Sequence, residues 1–438
     1  MQANLSKFGS FMKRLPAIAA LIVLTAVSAR AQFPMFGWPD VTPDTGSHKS
    51  ESKVLQFDYD VDFTYKFDNR EYGDGANSHA GGLEESMTVN AIRLTPWAGF
   101  SIVQSETLRH RLMVGVDFVH DMGETSLTVG TEGSESGKLS DFREFMAYYR
   151  ADAALRRGQF TAIAGIYPLE ELDGDWSKAY FSDYSRFYDA YMEGMLFRFR
   201  GARLKSCLAL DWTGMYGDLR REQFRIYSSG EQALGGIFSA GWTLEVGHFA
   251  SAREIEGMTD DILATPYAKA DLASLTGWFD ELSVREGAML SYQRDRKTDS
   301  QARFPTGSET VLTARWHSLG ISDTFYAGDD LMPYYDATFT SSDGRVWTNG
   351  ASLYRGLGFY RTGKWYNRVE ASWRPRISDF LSVEVAVDLH FAGGIGMAGW
   401  QQKATLILDL DALRHPGGVT YRKIRKHSPA RPGENIAL

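Results

Sequence analysis

From Leu55 to Phe67 every second residue is apolar. Leu55, Phe57, Tyr59, Val61, Phe63, Tyr65 and Phe67 alternate with Gln56, Asp58, Asp60, Asp62, Thr64 and Lys66. A helix would scatter this pattern around its axis, whereas a strand sorts it into two faces. Leu381–Phe391 repeats it, with Leu381, Val383, Val385, Val387, Leu389 and Phe391 on one face and Ser382, Glu384, Ala386, Asp388 and His390 on the other. Soluble strands usually run about 5–6 residues. These segments instead match the roughly 9–11 residues that a tilted strand needs to cross a bilayer.

Weaker copies occur at 91–103, 109–120, 143–156, 159–168, 191–200, 202–213, 236–249, 263–275, 281–296, 310–321, 365–377 and 400–412. The total is about fourteen strands, within a range of twelve to sixteen. Pro266 falls inside 263–275, Pro96 inside 91–103 and Pro375 inside 365–377, and proline donates nothing to a ladder. Tight connections at Ser105–Thr107, Gly201 and Ser378-Asp379 alternate with long ones at Asn69–Ser86, Asp121–Ser140, Leu169–Ala190, Gly214–Gly235 and Ser322–Lys364. Short turns on one rim and long loops on the other are the pattern of outer-membrane barrels. The predicted fold is therefore all-β: a single transmembrane antiparallel up-and-down β-barrel over 53–413. The competing reading is a secreted β-sandwich, which would use shorter strands and pack one apolar face on a second sheet.

Composition fits this reading once the alternation is seen. Mean hydropathy is −0.30, as expected when lipid-facing and water-facing residues average out along every strand. The net charge of −8 argues against a nucleic-acid partner. The single Cys207 excludes a disulfide framework and any multi-cysteine metal site. At the N-terminus, Lys7, Lys13 and Arg14 precede the apolar run Leu15–Val27 and then Ala29-Arg30-Ala31. This order reads as a secretory signal peptide, residues 1–31, cleaved after Ala31. Residues 32–52 are rich in Pro, Gly and Asp and read as irregular.

The whole pattern from Lys53 to Leu413 resembles Gram-negative outer-membrane β-barrels of the porin-like class. The runs Phe67-Asp68-Asn69-Arg70-Glu71-Tyr72 and Trp365-Tyr366-Asn367-Arg368-Val369-Glu370 look like segments of poorly characterised barrels of this kind. The resemblance implies an outer-membrane location and a barrel in contact with outer-membrane lipid, and it carries over no catalytic residues. One departure is the end of the chain. Such barrels usually finish on an aromatic residue of the last strand, whereas here a basic tail, 414–438, follows Leu413.

If the apolar face meets lipid, the other face lines the lumen. The expected lumen acids are Asp58, Asp60 and Asp62 on the first strand, and Glu384, Asp388, Asp409 and Asp411 on the last two. In a closed barrel the last strand pairs with the first, so these seven form one acidic wall. The expected lumen bases are Arg198, Arg200, Arg203 and Lys205, together with Arg368, Arg374 and Arg376. Bases opposite acids would set up a transverse field across a constriction. Alternatively, the same charges pair into a plug that only stabilises the barrel. Loop 169–190 carries Trp176, Tyr180 and Tyr184, and loop 322–364 carries Tyr334, Tyr335 and Trp347. Folded inward, loop 169–190 would narrow the pore. Folded outward, its aromatics could stack on sugars.

Catalytic motifs are missing: there is no G-x-S-x-G, H-E-x-x-H or P-loop. Asp173, Asp175 and Asp183 do not have calcium-loop spacing. The reading is of no enzyme, no cofactor and no metal. His390 with Asp388 on the same face is the best candidate base, His317 is taken as inward on its own strand, and Cys207 faces inward among basic neighbours. The expected function is passive diffusion of small hydrophilic solutes through a charged lumen. One alternative is a non-conducting barrel whose aromatic loops bind a glycan or a partner protein. A second is a lumen-sited hydrolase. The oligomeric state stays open.

Overall fold

The computed structural model describes residues 55–76, 83–123, 141–297, 300–375, 377–378 and 380–409. The leader, the segment 32–52, Arg376, Asp411 and the basic tail lie outside these residues. Sixteen strands form the wall: β1 Leu55–Tyr72, β2 Thr88–Ser105, β3 Leu108–Asp121, β4 Phe142–Leu155, β5 Gly158–Pro168, β6 Tyr191–Gly201, β7 Leu204–Gly214, β8 Gln223–Gly235, β9 Phe238–Phe249, β10 Thr259–Asp271, β11 Glu281–Asp295, β12 Thr306–Trp316, β13 Leu319–Gly328, β14 Trp365–Trp373, β15 Leu381–Ala392 and β16 Gly396–Asp409. Each is antiparallel to the next. β16 pairs back on β1 from Asp62↔Asp409 to Tyr72↔Gly399 and closes the ring. A closed ring has no open edge, which is what a sheet in hydrocarbon requires.

The ring has two strands more than the pattern suggested, for two reasons. β8 lies inside the expected loop 214–235. Its outward face changes from Phe224 and Ile226 to Ser228 and Gly230, so the alternation fades. The apolar cover comes from the next strand instead. The Trp242 ring lies over Gly230, where a Cβ would meet it at 2.2 Å, and the Trp242 Nε1–H donates to Ser228 Oγ at 3.2 Å. Second, the expected strand 310–321 spans a turn and joins parts of β12 and β13. The turn is at His317–Ser318, where His317 takes a left-handed φ of 53°, so His317 is a turn residue and not a lumen residue. The outward faces here carry Ser308, Thr310 and Asp323. The Thr310 hydroxyl donates to Glu286, and the Asn367 amide donates to Asp323. Polar pairs bonded to each other hide the strand signal.

The mid-strand prolines share a device. Pro266 pairs in register with Trp242 of β9, while the ladder to β11 is interrupted at Thr265 and Pro266. Pro96 pairs with Val61 of β1, while the ladder to β3 skips Thr95 and Pro96. The missing N–H falls where no bond is made. Pro375 lies just beyond the end of β14.

Apolar side chains face out around the ring: Phe57 is 55% exposed, Phe145 57% and Trp316 51%. In water such a surface would drive association; on a closed ring it is a lipid belt. Phe325 and Trp365 stack at one rim, 6.4 Å apart, and Trp316 and Trp373 lie at the other.

The buried core lies inside the ring. Tyr167, Tyr180, Tyr227, Tyr326, Tyr334, Phe359, Tyr360 and Tyr366 are all nearly inaccessible. A ring of this size is wide enough to leave an aqueous channel between its wall side chains. Here loops 169–190 and 329–364 turn inward and occupy that space.

Candidate functional site: the lumen and its two inward loops

Loop 169–190 leaves β5 through a single 3-10 turn, Leu169–Glu171. Its acids are gripped by wall cations on the way. Glu171 receives Arg150 Nη1 at 3.1 Å and Arg198 Nη1 at 3.0 Å. Asp173 accepts from Arg200 Nε at 2.7 Å. Across the lumen, Asp175 meets Lys269 of β10 at 3.2 Å and Arg285 of β11 at 3.2 Å. Ser177 donates to Glu309 of β12 at 2.6 Å. The Tyr180 hydroxyl lies 2.8 Å from Thr265 Oγ1 and donates to the Thr243 carbonyl at 3.1 Å. The chain then returns as a short helix, α1 Asp183–Tyr188, capped by Ser182 Oγ, which accepts the Ser185 N–H at 3.1 Å. This helix lies against β1–β3: Lys66 donates to the Asp183 carbonyl at 2.8 Å, and Arg93 sits 5.3 Å from the Phe187 ring centre. The loop therefore crosses the barrel and comes back.

Loop 329–364 enters over β7–β11. A small hairpin, 338–340 with 346–348, sets Phe339 under the Arg221 guanidinium, 4.1 Å from the ring centre. Asn349 donates to Asp295 at 3.3 Å, and the Tyr354 hydroxyl donates to Gln293 at 2.8 Å. Arg355 bonds Asp211 of β7 at 2.9 Å and Asp189 at 2.7 Å. Phe359 stacks on Tyr366 at 4.8 Å and on His390 at 5.0 Å. The loops are strapped together by backbone bonds. Leu357 N donates to Lys178 O, and Ser182 N to Arg355 O, both at 2.8 Å.

The charges on these loops respond to that packing. Burial pushes the Asp183 carboxyl upward, but Lys178, Lys403, Lys66 and Arg368 together outweigh it and hold the group well below the usual carboxylate range. Burial works against the Arg355 guanidinium, yet Tyr227, Asp189 and Asp211 raise it and keep it charged.

The expected lumen residues do not form two opposed walls. Asp58, Asp60 and Asp62 face inward at the short-turn end, where Asp58 meets Arg111 of β3 at 3.2 Å. Asp409 is opposite Asp62 in the ladder. Arg368 lies on β14 and Arg374 just past its end, immediately beside β15. They therefore neutralise acids directly and do not face them across a gap: Arg374 bonds Glu384 at 2.8 Å, and Arg368 reaches Asp388 at 3.4 Å. Arg198 and Arg200 are taken up by loop 169–190, while Arg203 and Lys205 are exposed near the turn rim. Lys403 of β16, absent from the expected set, interrupts the acidic wall with bonds to Glu370 at 2.8 Å and Asp388 at 2.9 Å. Lys66, Arg70, Arg150, Arg225, Glu245, Arg285, Glu309 and Gln401 were missed as well. Lys66 and Arg70 continue the inward face of β1 beyond Asp62, so the alternation already contained them.

Most of the loop aromatics face inward. Tyr180 and Tyr334 are buried, Trp176 and Tyr335 are half-buried, and Tyr184 and Trp347 are each 40% exposed. The His390 ring bonds the Tyr366 hydroxyl through Nδ1 at 2.8 Å, while Asp388 turns to Lys403 and Arg368. Cys207 is buried in the wall of β7.

A closed antiparallel ring with an apolar belt outside and ionic groups inside defines a transmembrane β-barrel of the outer-membrane, porin-like type. Among solved structures the chain is similar to in-vitro folded OmpT, an outer membrane protein of Vibrio cholerae, with 7% identity over 82% of this chain and 99% of that one and a TM-score of 0.45. It is also similar to Salmonella typhi OmpF in complex with daunomycin, with 10% identity, 82% and 100% coverage and a TM-score of 0.43. A third likeness is to Pseudomonas aeruginosa OccK1, with 8% identity, 81% and 98% coverage and a TM-score of 0.37. No family model and no curated protein matches the chain.

Proposed function

We propose that this barrel is a narrow passage for small hydrophilic solutes across the outer membrane, throttled by its own loops. The observation that carries this reading is the crossing of loop 169–190, from Glu171 on Arg150 and Arg198 to Asp175 on Lys269 and Arg285. A ring of sixteen strands would leave an open channel, and the chain spends a whole loop on narrowing it. The lining is charged and hydrogen-bonded, which suits polar solutes and needs no cofactor. On this reading residues 1–31 direct export and are removed after Ala31.

A second reading is favoured by the nearly complete burial of Tyr227, Glu309, Gln293 and His390 in the lumen. It describes a plugged barrel that conducts nothing and serves as a scaffold for loops that meet a glycan or a protein. Planar-bilayer recording separates the two. The passage reading expects small unit steps from the native protein and several-fold larger steps when 338–348 is replaced by a short Gly-Ser link. A folded barrel that shows no steps in either form overturns it.

A further inference from the structure

A small cavity, with room for about one water-sized species, lies where both loops meet β1, β14, β15 and β16. Three cations line it, Arg70, Lys178 and Arg368, against one carboxylate, Asp183. Gln401, His390, Ser182 and Tyr72 add neutral polar groups to its lining.

The cations are unevenly satisfied. Lys178 bonds Asp183. Arg70 places both Nε and Nη2 on one oxygen of Asp68, at 3.2 and 2.7 Å, and leaves Nη1 over. Asp68 also accepts from Gln401 at 2.6 Å. Arg368 is the least committed. Only its Nη1 reaches a carboxylate, at 3.4 Å to Asp388 and 3.8 Å to Glu370. Its Nε and Nη2 donate to no described residue. The two acids that could have taken Arg368 fully are drawn to Lys403 instead, at 2.8 and 2.9 Å.

Counting the groups around the cavity gives the same result. Lys66, Arg70, Lys178, Arg368 and Lys403 stand against Asp68, Asp183, Glu370 and Asp388, so five cations meet four carboxylates. Farther out, Arg186 and Arg361 are matched by Glu170 and Glu84, two charges of each sign. An uncompensated charge held away from bulk water is expensive unless something neutralises it. A guanidinium with two undirected N–H groups is a fork for a small anion.

We propose that this cavity binds one small monovalent anion, with Arg368 as its principal ligand and Arg70 and Gln401 beside it. The site belongs to the lumen but does not depend on conduction. If recordings showed a silent barrel, the cavity and its charge excess would be unchanged.

Bromide is the direct probe. Crystals of the folded protein grown in bromide should show an anomalous peak beside Arg368, and Arg368→Met should reduce it at least tenfold. Competition with excess acetate identifies the natural source. Loss of the peak means that solute carboxylates also take the site; persistence means that it prefers halides. Should Arg368→Met fail to fold, Gln401→Leu keeps the test alive, with bromide binding weakened several-fold and the ion pairs of Arg368 intact. A native crystal with bromide at surface positions and none in this cavity overturns the proposal.

Discussion

Gly356 sits against the carbonyl oxygen of Ala179 so closely that a Cβ there would lie 1.9 Å from it. This contact joins the two inward loops, beside the backbone bond from Leu357 to Lys178. Backbone cannot yield as a flexible side chain can. Gly356→Ala should therefore separate the loops at a cost of about 1–3 kcal/mol while leaving the sixteen-strand wall folded. The measurement is limited proteolysis of the refolded barrel. Faster cleavage within 329–364 is expected, and unchanged kinetics would show that the strap is not a constraint.

Glu171 is shared by Arg150 and Arg198, and all three side chains are at least 96% buried. Glu171→Ala removes the carboxylate the two guanidiniums share and leaves Arg150 on Asp152 at 2.7 Å and Arg198 on Asp173 at 3.7 Å. Loss of a charged hydrogen bond at such a site costs roughly 1.5–3 kcal/mol. Denaturant unfolding in detergent should show the loss, and Arg198→Ala added to Glu171→Ala should cost less than the two single changes summed.

The acid response of the loops should follow Asp183. Its native carboxyl is held well below the usual range by Lys178, Lys403, Lys66 and Arg368, against the opposing effect of burial. A depressed native value means that the contribution is complete above the unfolded value of about 3.9 and is lost as pH falls below it. Pepsin should therefore attack 178–190 slowly at pH 4 and progressively faster below it. Asp183→Asn should already be open at pH 4, and identical profiles for the two proteins would remove Asp183 from the mechanism.

Trp242 covers Gly230 on the lipid face. Trp242→Ala exposes a glycine and a serine to hydrocarbon, and for a half-covered aromatic about 1–3 kcal/mol of barrel stability should disappear. Urea titration in lipid vesicles is the appropriate measurement. Phe57→Ala, on a part of the belt where the alternation is intact, provides the comparison for ordinary belt truncation.

The barrel was legible wherever its two faces differed in chemistry. β1 and β15 were read with the correct side inward because Phe57 and Val385 alternate with Asp58 and Glu384. β8 was lost because its outward Ser228 and Gly230 take their cover from Trp242, 12 residues from Gly230 in the chain. β12 and β13 merged because Thr310 and Asp323 carry polar pairs on the outer face. The lumen residues were legible as a list but not as partners. Which carboxylate takes Arg368 depends on strand neighbours and on Lys403, and no local pattern encodes that. The inward path of loop 169–190 was one of two readings left open, because an Asp-rich aromatic loop suits water on either side until its bonds to Lys269 and Arg285 are seen.

The seam between β1 and β16 includes the bond between Asp68 and Gln401, 333 positions apart along the chain. Such a contact forms late, since closing so large a loop must precede any gain from it. Until then both flanking strands are raw edges. The anion cavity lies on this seam, with Arg70 and Gln401 contributed from its two sides. Construction of the wall and completion of the cavity are therefore one event, and a chain halted before residue 396 would have neither.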